Sequence, residues 1–182
     1  MDATELLTKD HRDVERLFDR FEQATGDTEQ KGKIAKQIIK ELSIHASIEE
    51  EVFYPEVKAA VPTSEDLVNH SLEEHQEVKE ALAELDRMDP GDPGFHQKME
   101  KAISDVKEHV QEEEGEMFPK VRQALSGNTL LEIGAKMDKA KGRAPTRPHP
   151  HAPNQPPGNK MAGPAAAAVD RARDKLEGRE SA

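Results

Sequence analysis

Apolar side chains recur at the 3.6-residue spacing of amphipathic helices in four stretches of the chain. The first includes Leu7, Val14, Phe18 and Phe21, and the second Ile34, Ile38, Leu42 and Val52. The third includes Val68, Val78, Leu82 and Leu85, and the fourth Met99, Ala102, Val106 and Met117. Turn-forming residues separate them: Gly26 with Asp27, the run from Pro62 to Asp66, and DPGDPG at 89–94. Short connections make successive helices antiparallel neighbours, so the pattern predicts an all-α fold, an up-down-up-down four-helix bundle. A further helix is predicted after Asn128, where Thr129 and Glu132 have capping-box spacing. The text then changes to GRAPTRPHPHAPNQPPGNK, whose proline and glycine density favours an extended, partly disordered linker. Beyond it, an alanine-rich run predicts a short helix with Pro164 at its first position. The expected organisation is a bundle over 1–125, an additional helix over 126–141, a Pro/Gly-rich linker over 142–163 and a C-terminal helix and tail over 164–182.

Composition fits a helical bundle better than a β protein, since only 34% of the 182 residues are hydrophobic and 3% aromatic. The formal net charge of −11 argues against nucleic acid or an anionic membrane as partner. Acidic side chains outnumber basic ones two to one up to residue 135, and the ratio inverts beyond it. The tail is thus a basic appendage on an acidic body, with a partner that the sequence does not specify. No apolar run approaches the roughly 20 residues a bilayer needs, and the first residues do not read as an export signal, so a cytoplasmic location is expected. The chain has no cysteine. Disulfides, thiolate zinc sites and iron–sulfur clusters are therefore excluded, and any metal must be held by nitrogen and oxygen.

Nitrogen and oxygen donors recur in order. His45 and Glu49 stand in HASIE, His109 and Glu113 in HVQEE, and each pair follows a lone histidine, His11 or His75, by 34 residues. The second set repeats the first at an offset of 64, as do Val14 with Val78, Leu42 with Val106 and Pro55 with Pro119. A tandem helical hairpin explains this. Residues four apart lie about 40° apart around a helix, so His45 and Glu49 share a face. It is the apolar face, because His45 follows Ile38 and Leu42, and His109 follows Ala102 and Val106, at the same spacings.

A single core histidine is ordinarily a satisfied polar residue, and acidic runs are ordinarily solvated faces; on that reading Glu50, Glu51, Glu112 and Glu114 point to solvent. Six such groups aimed into one bundle are different, because burying them unpartnered is very costly and a cation compensates them. Two metals suit the set: two histidines each, two carboxylates between them, and an oxo or hydroxo bridge. Imidazole with carboxylate favours iron, with manganese or zinc behind it.

The order His11, His45-x-x-x-Glu49, His75, His109-x-x-x-Glu113 resembles the hemerythrin HHE cation-binding family, and with the Pro-rich tail it resembles the hemerythrin-like proteins of mycobacteria and related actinobacteria. The resemblance covers roughly residues 1–125. It implies that those six residues hold a non-haem di-iron centre binding hydrogen peroxide, nitric oxide or oxygen. It further implies peroxide disproportionation, a catalase-like oxidoreductase, or a related redox defence. The alternatives are reversible oxygen or nitric oxide binding or sensing, and iron donation to damaged iron centres. Oxygen carriers of the family have a fifth histidine one turn from the third-helix ligand, where this chain has Ser71 and Lys79. His70 does not replace it, lying about 140° from His75 around an ideal helix. Tyr54, the only tyrosine, has Phe118 as its repeat-mate. An ideal helix points it about 180° from His45, which favours packing at the helix end, although Pro55 can kink that end and bring Tyr54 in as ligand or hydrogen-bond donor.

Overall fold

The computed structural model describes residues 1–178, all helix and connections with no strand among them. Residues 179–182 of the expected tail lie outside that range. Helix α1, Ala3–Gln23, is started by a capping box in which the Asp2 carboxylate accepts from Glu5 N–H while the Glu5 carboxylate accepts from Asp2 N–H. It buries Leu6, Leu7, His11, Val14, Phe18 and Phe21. Gly26, at φ +81°, makes the turn into α2, Thr28–Ile48, which Asp27 caps.

Helix α2 does not stop at Ile48. It runs through a π-helical segment, Glu49–Phe53, into α3, Tyr54–Ala60. After α4, Glu65–Leu85, the same happens again: α5, Phe95–Glu112, passes through a π segment, Glu113–Met117, into α6, Phe118–Ala124. The two π segments occupy repeat-related positions and each begins at a predicted ligand. Pro55 and Pro119 supply the cause. Each lacks an N–H and its ring crowds the carbonyl four residues back, so the chain widens there. Tyr54 and Phe118 donate instead to the carbonyls of Glu49 and Glu113, five residues back.

Helix α1 packs on α2 and α4 on α5. Two apolar clusters fill the interior on either side of the polar layer. One gathers Leu7, Ile48, Phe53, Tyr54, Met117 and Phe118, and the other Phe18, Phe21, Ile38, Leu82, Met99 and Val106. Each buried aromatic contributes about 1.5–3 kcal/mol by leaving water.

Helix α7, Gly127–Lys141, is capped by Ser126, whose hydroxyl accepts from Thr129 N–H; Thr129 is therefore not the cap that the Thr129–Glu132 spacing suggests. It lies against α1 and α2, burying Leu130, Ile133 and Met137 into the same cluster as Leu6 and Ile48. Helix α8, Gly158–Leu176, begins ahead of Pro164, which lies inside it rather than at its first position. The Pro-rich stretch before α8 is not detached. Arg147 is 4% exposed and donates to Asp174 at 3.0 Å and Asp86 at 3.1 Å, while Thr146 N–H donates to Asp170. Composition had suggested partial disorder, but the Asp170 and Asp174 carboxylates of α8 supply this segment with polar partners. His149 faces Asp170 at 2.9 Å.

Candidate metal centre

Four imidazoles and two carboxylates from four helices meet between the apolar clusters, all buried. His11 Nε2 and His45 Nε2 are 3.1 Å apart, and so are His75 Nε2 and His109 Nε2. Glu49 Oε2 lies 3.2 Å from His45 Nε2 and 3.4 Å from His75 Nε2. Glu113 Oε2 lies 3.4 Å from His11 Nε2 and 3.7 Å from His109 Nε2. Each carboxylate thus sits between the two imidazole pairs, and the structure brings together all six residues that the sequence singles out.

Behind the imidazoles stands a ring of carboxylates. His11 Nδ1 meets Glu114 at 2.8 Å, His75 Nδ1 meets Glu50 at 3.0 Å, and His109 Nδ1 meets Glu74 at 2.8 Å. His45 Nδ1 faces Asp10 at 3.7 Å, an ion-pair distance rather than a direct hydrogen bond. These partners favour the tautomer with the proton on Nδ1, which leaves a lone pair on each inward-facing Nε2. The expectation that Glu50, Glu51 and Glu114 face solvent is corrected here. Glu50 is 4% exposed and also meets Lys79 Nζ at 2.5 Å, Glu51 is buried against Arg143, and Glu114 is shared by His11 and Arg12. The missed signal was the repeat itself, since Asp10 with Glu74 and Glu50 with Glu114 keep the 64-residue offset.

Tyr54 also enters the site. Each residue of a π segment advances less around the axis than one of an α-helix, so the residue after the segment leaves the phase an ideal helix would give it. The Tyr54 hydroxyl donates to Glu113 Oε1 at 2.9 Å and lies 3.2 Å from His75 Nε2. The reading of Tyr54 as simple packing at the helix end is thereby corrected. Phe118, the repeat-mate, stacks on His11 with ring centroids 5.9 Å apart.

Burial lowers His45 to about 4 and, against the pull of Glu50, lowers His75 as well. Burial also pushes His109 down, but the Glu113 and Glu74 carboxylates outweigh it and leave its value raised. Glu49 is pushed well above the usual carboxylate range by burial and then by the Glu113 charge. Burial opposes ionisation of Glu113 too, yet His109 and His11 hold it low. Both Glu49 oxygens and Glu113 Oε2 are buried and have no hydrogen-bond partner. Such orphaned acceptors are costly in a folded protein, and facing four imidazole lone pairs they have the chemistry of metal donors. The donor set fits a metal site, as two groups able to hold an ion: His11, His45, Glu49 and Glu113, and Glu49, His75 and His109.

On one side the cluster opens to a cavity of about 40 Å³, lined by Val14, Phe18, Leu42, Val78, Leu82 and Val106 among others. That is room for only a few water-sized molecules.

Comparison with known proteins places this arrangement. The sequence model of the hemerythrin HHE cation binding domain matches residues 2–121. An uncharacterized hemerythrin-like protein of Schizosaccharomyces pombe is 29% identical over 96% of this chain and 86% of its own length. A DNA nickase of Nostoc is 28% identical over 81% of this chain, which spans 41% of that protein. Among solved structures, a hemerythrin HHE cation binding domain-containing protein of Mycobacterium kansasii superposes with a TM-score of 0.66 at 26% identity, over 78% of this chain and 88% of that one.

Proposed function

The chain belongs to the hemerythrin HHE cation-binding domain family, and from that premise we propose that His11, His45, Glu49, His75, His109 and Glu113 hold two iron ions for the disproportionation of hydrogen peroxide. The observation that carries this reading is the set of orphaned Glu49 and Glu113 oxygens facing four Nε2 atoms. His11 with His45 would hold one ion and His75 with His109 the other, with Glu49 and Glu113 lying between the two pairs. Residues 1–125 are the metal-binding unit, an up-down-up-down four-helix bundle in which α2–α3 and α5–α6 each count as one helix, with α7 and the tail as additions.

When bound, the iron pair supplies the two-electron redox chemistry by which one peroxide is oxidised to oxygen while a second is reduced to water. The protein's own residues do the rest. Asp10, Glu50, Glu74 and Glu114 hold the imidazoles in the orientation that presents Nε2 inward. Tyr54 holds a phenolic proton on Glu113 Oε1, and burial keeps that phenol protonated well above its usual value of 10. The apolar walls of the cavity exclude bulk water and limit access to molecules of a few atoms, a class that contains peroxide, oxygen and nitric oxide. Missing from this chain is the fifth histidine of the oxygen carriers: of the two positions one turn from His75, Ser71 donates its hydroxyl to Leu67 O and Lys79 is committed to Glu50. DNA nicking is not part of the reading, since this chain spans 41% of the Nostoc relative and its net charge of −11 repels a polyanion.

The test is oxygen evolution from hydrogen peroxide by iron-loaded protein, with metal analysis and free iron and apo-protein as controls. We expect about two irons per chain and a rate above free iron. A rate no greater than free iron, together with a reversible adduct in air, would replace catalysis with oxygen or nitric oxide binding.

A further inference from the structure

We propose that His70, Glu74 and Glu112 form a divalent-cation site on the α4–α5 face and that this site passes metal to the buried centre. The handover rests on the two-metal centre proposed above; the surface site does not.

The inference starts from the counter-ions of the four carboxylates behind the imidazoles. Asp10 has Lys141 at 2.5 Å, Glu50 has Lys79 at 2.5 Å, and Glu114 has Arg12. Each of these acids therefore holds an imidazole on one side and a fixed cation on the other. Glu74 breaks the rule. Among the described residues it meets imidazoles only, His109 through Oε2 at 2.8 Å and His70 through Oε1 at 3.6 Å. Where its three counterparts have a lysine or arginine, it has a second histidine and a second acid, with Glu112 Oε2 lying 3.5 Å from His70 Nε2.

Those three donors lie within 4.8 Å of one another, a spacing that one ion can bridge. Imidazole with two carboxylates suits zinc, manganese, iron or cobalt. The distances are those of groups gathered around a common point rather than bonded to each other, since 3.5 and 3.6 Å are long for hydrogen bonds. His70 and Glu112 are 52% and 38% exposed, so the site is open to water.

The repeat shows that this is not a by-product of the shared framework. Positions 64 residues earlier than His70 and Glu112 are Leu6 and Ile48, both buried under α7. Only the uncovered half carries ligands at these positions. Glu74 has one oxygen in the surface set and the other on His109, so an ion at the surface is one imidazole away from the Nε2 cluster.

Co²⁺ is the probe, its visible absorption reporting amount and coordination. Full-length apo-protein is titrated with Co²⁺ alone, in wild type, His70→Ala, Glu112→Gln and the control His96→Ala. His96 is exposed like His70 and pairs with Glu100, but among the described residues it belongs to no such cluster of three. We expect His70→Ala and Glu112→Gln to bind one Co²⁺ fewer per chain than wild type and His96→Ala to match wild type. Filling of the buried centre at limiting Co²⁺ should slow by about tenfold or more, the scale on which charged surfaces speed ion capture. Equal stoichiometry in wild type and His70→Ala would remove the surface site. One ion fewer with an unchanged filling rate would overturn the handover. If the buried centre does not exist, wild type still exceeds His70→Ala by one ion, so failure of that reading is seen separately.

Discussion

The two halves of the bundle, related by a 64-residue offset, agree at every inward donor and differ in what surrounds those donors. Histidines, acids and both π segments are duplicated. The surroundings are not. The α1–α2 face is buried by α7, and the seam between α2 and α4 is crossed by residues 145–153, where Gln76 donates to Pro150 O. The equivalent α4–α5 face carries exposed His70 and Glu112, and the α1–α5 seam carries Arg12 with Glu114. Tyr54 faces His75 on one side, and Phe118 faces His11 on the other. The lesson is that donor identity tolerates little variation because burial penalises any unmatched polar group, whereas the outer layer is free to diverge. In the proposed two-metal centre, two equal sets of donors would thus give two unequal metal positions.

The largest expected effect comes from breaking what the halves share. Replacing Glu49 and Glu113 together with alanine removes both groups that lie between the imidazole pairs, and metal content should fall by about two ions per chain. Elemental analysis of the purified variant checks this, with circular dichroism to show that the helices persist. Retention of stoichiometric metal would end the assignment of these six residues as ligands.

The convergence of the donor cluster was legible because it is periodic: His11, His45, Glu49, His75, His109 and Glu113 combine the helical repeat with the 64-residue offset. The supporting acids were equally periodic, yet Glu50 and Glu114 read as solvent-facing because they stand in acidic runs, which are ordinarily solvated faces. Tyr54 was misread for a related reason. The angular argument assumed 100° per residue, and the π segment ahead of Pro55 changes that. The tail was illegible for a different reason. Composition reports whether a segment can build its own core, but Arg147 is held by Asp86 and Asp174, partners far along the chain that no local window contains.

That contact supplies the second prediction, a way to make one covered seam resemble its bare counterpart. Arg147→Ala leaves Asp174 buried without its cation, and breaking a buried pair in this way costs about 3–5 kcal/mol. The loss should fall on docking of the tail rather than on the bundle, because undocking lets Asp170 and Asp174 return to water. Hydrogen exchange in α8 should rise while that in α1 and α5 stays unchanged, and metal content should be unaffected. Loss of metal in this variant would mean that the covered seam belongs to the centre and that the halves differ more deeply than in their outer layer.

The smallest effect should come from erasing the one difference that reaches the donors. Tyr54→Phe gives both halves a phenylalanine after the π segment and nearly conserves volume, so packing against Phe53 and His75 is retained. What is lost is the hydroxyl that donates to Glu113 Oε1 and approaches His75 Nε2. Metal stoichiometry should be unchanged, since the six donors remain. Affinity should not be, because removing a group that holds a ligand costs roughly 10–100-fold, and Tyr54 gives up a single hydrogen bond, so the lower end, about tenfold, is expected. The loss should be larger for the ion that His75 and His109 would hold, because the hydroxyl approaches His75 as well as the shared Glu113. Competition with a chelator would then resolve two release steps in wild type and draw them together in Tyr54→Phe. Phe118→Tyr is the converse, placing a hydroxyl beside His11 and strengthening the other position. If both variants released metal as wild type does, the Tyr54 hydroxyl would have no hold on the centre, and the inequality of the two positions would have to come from the outer layer alone.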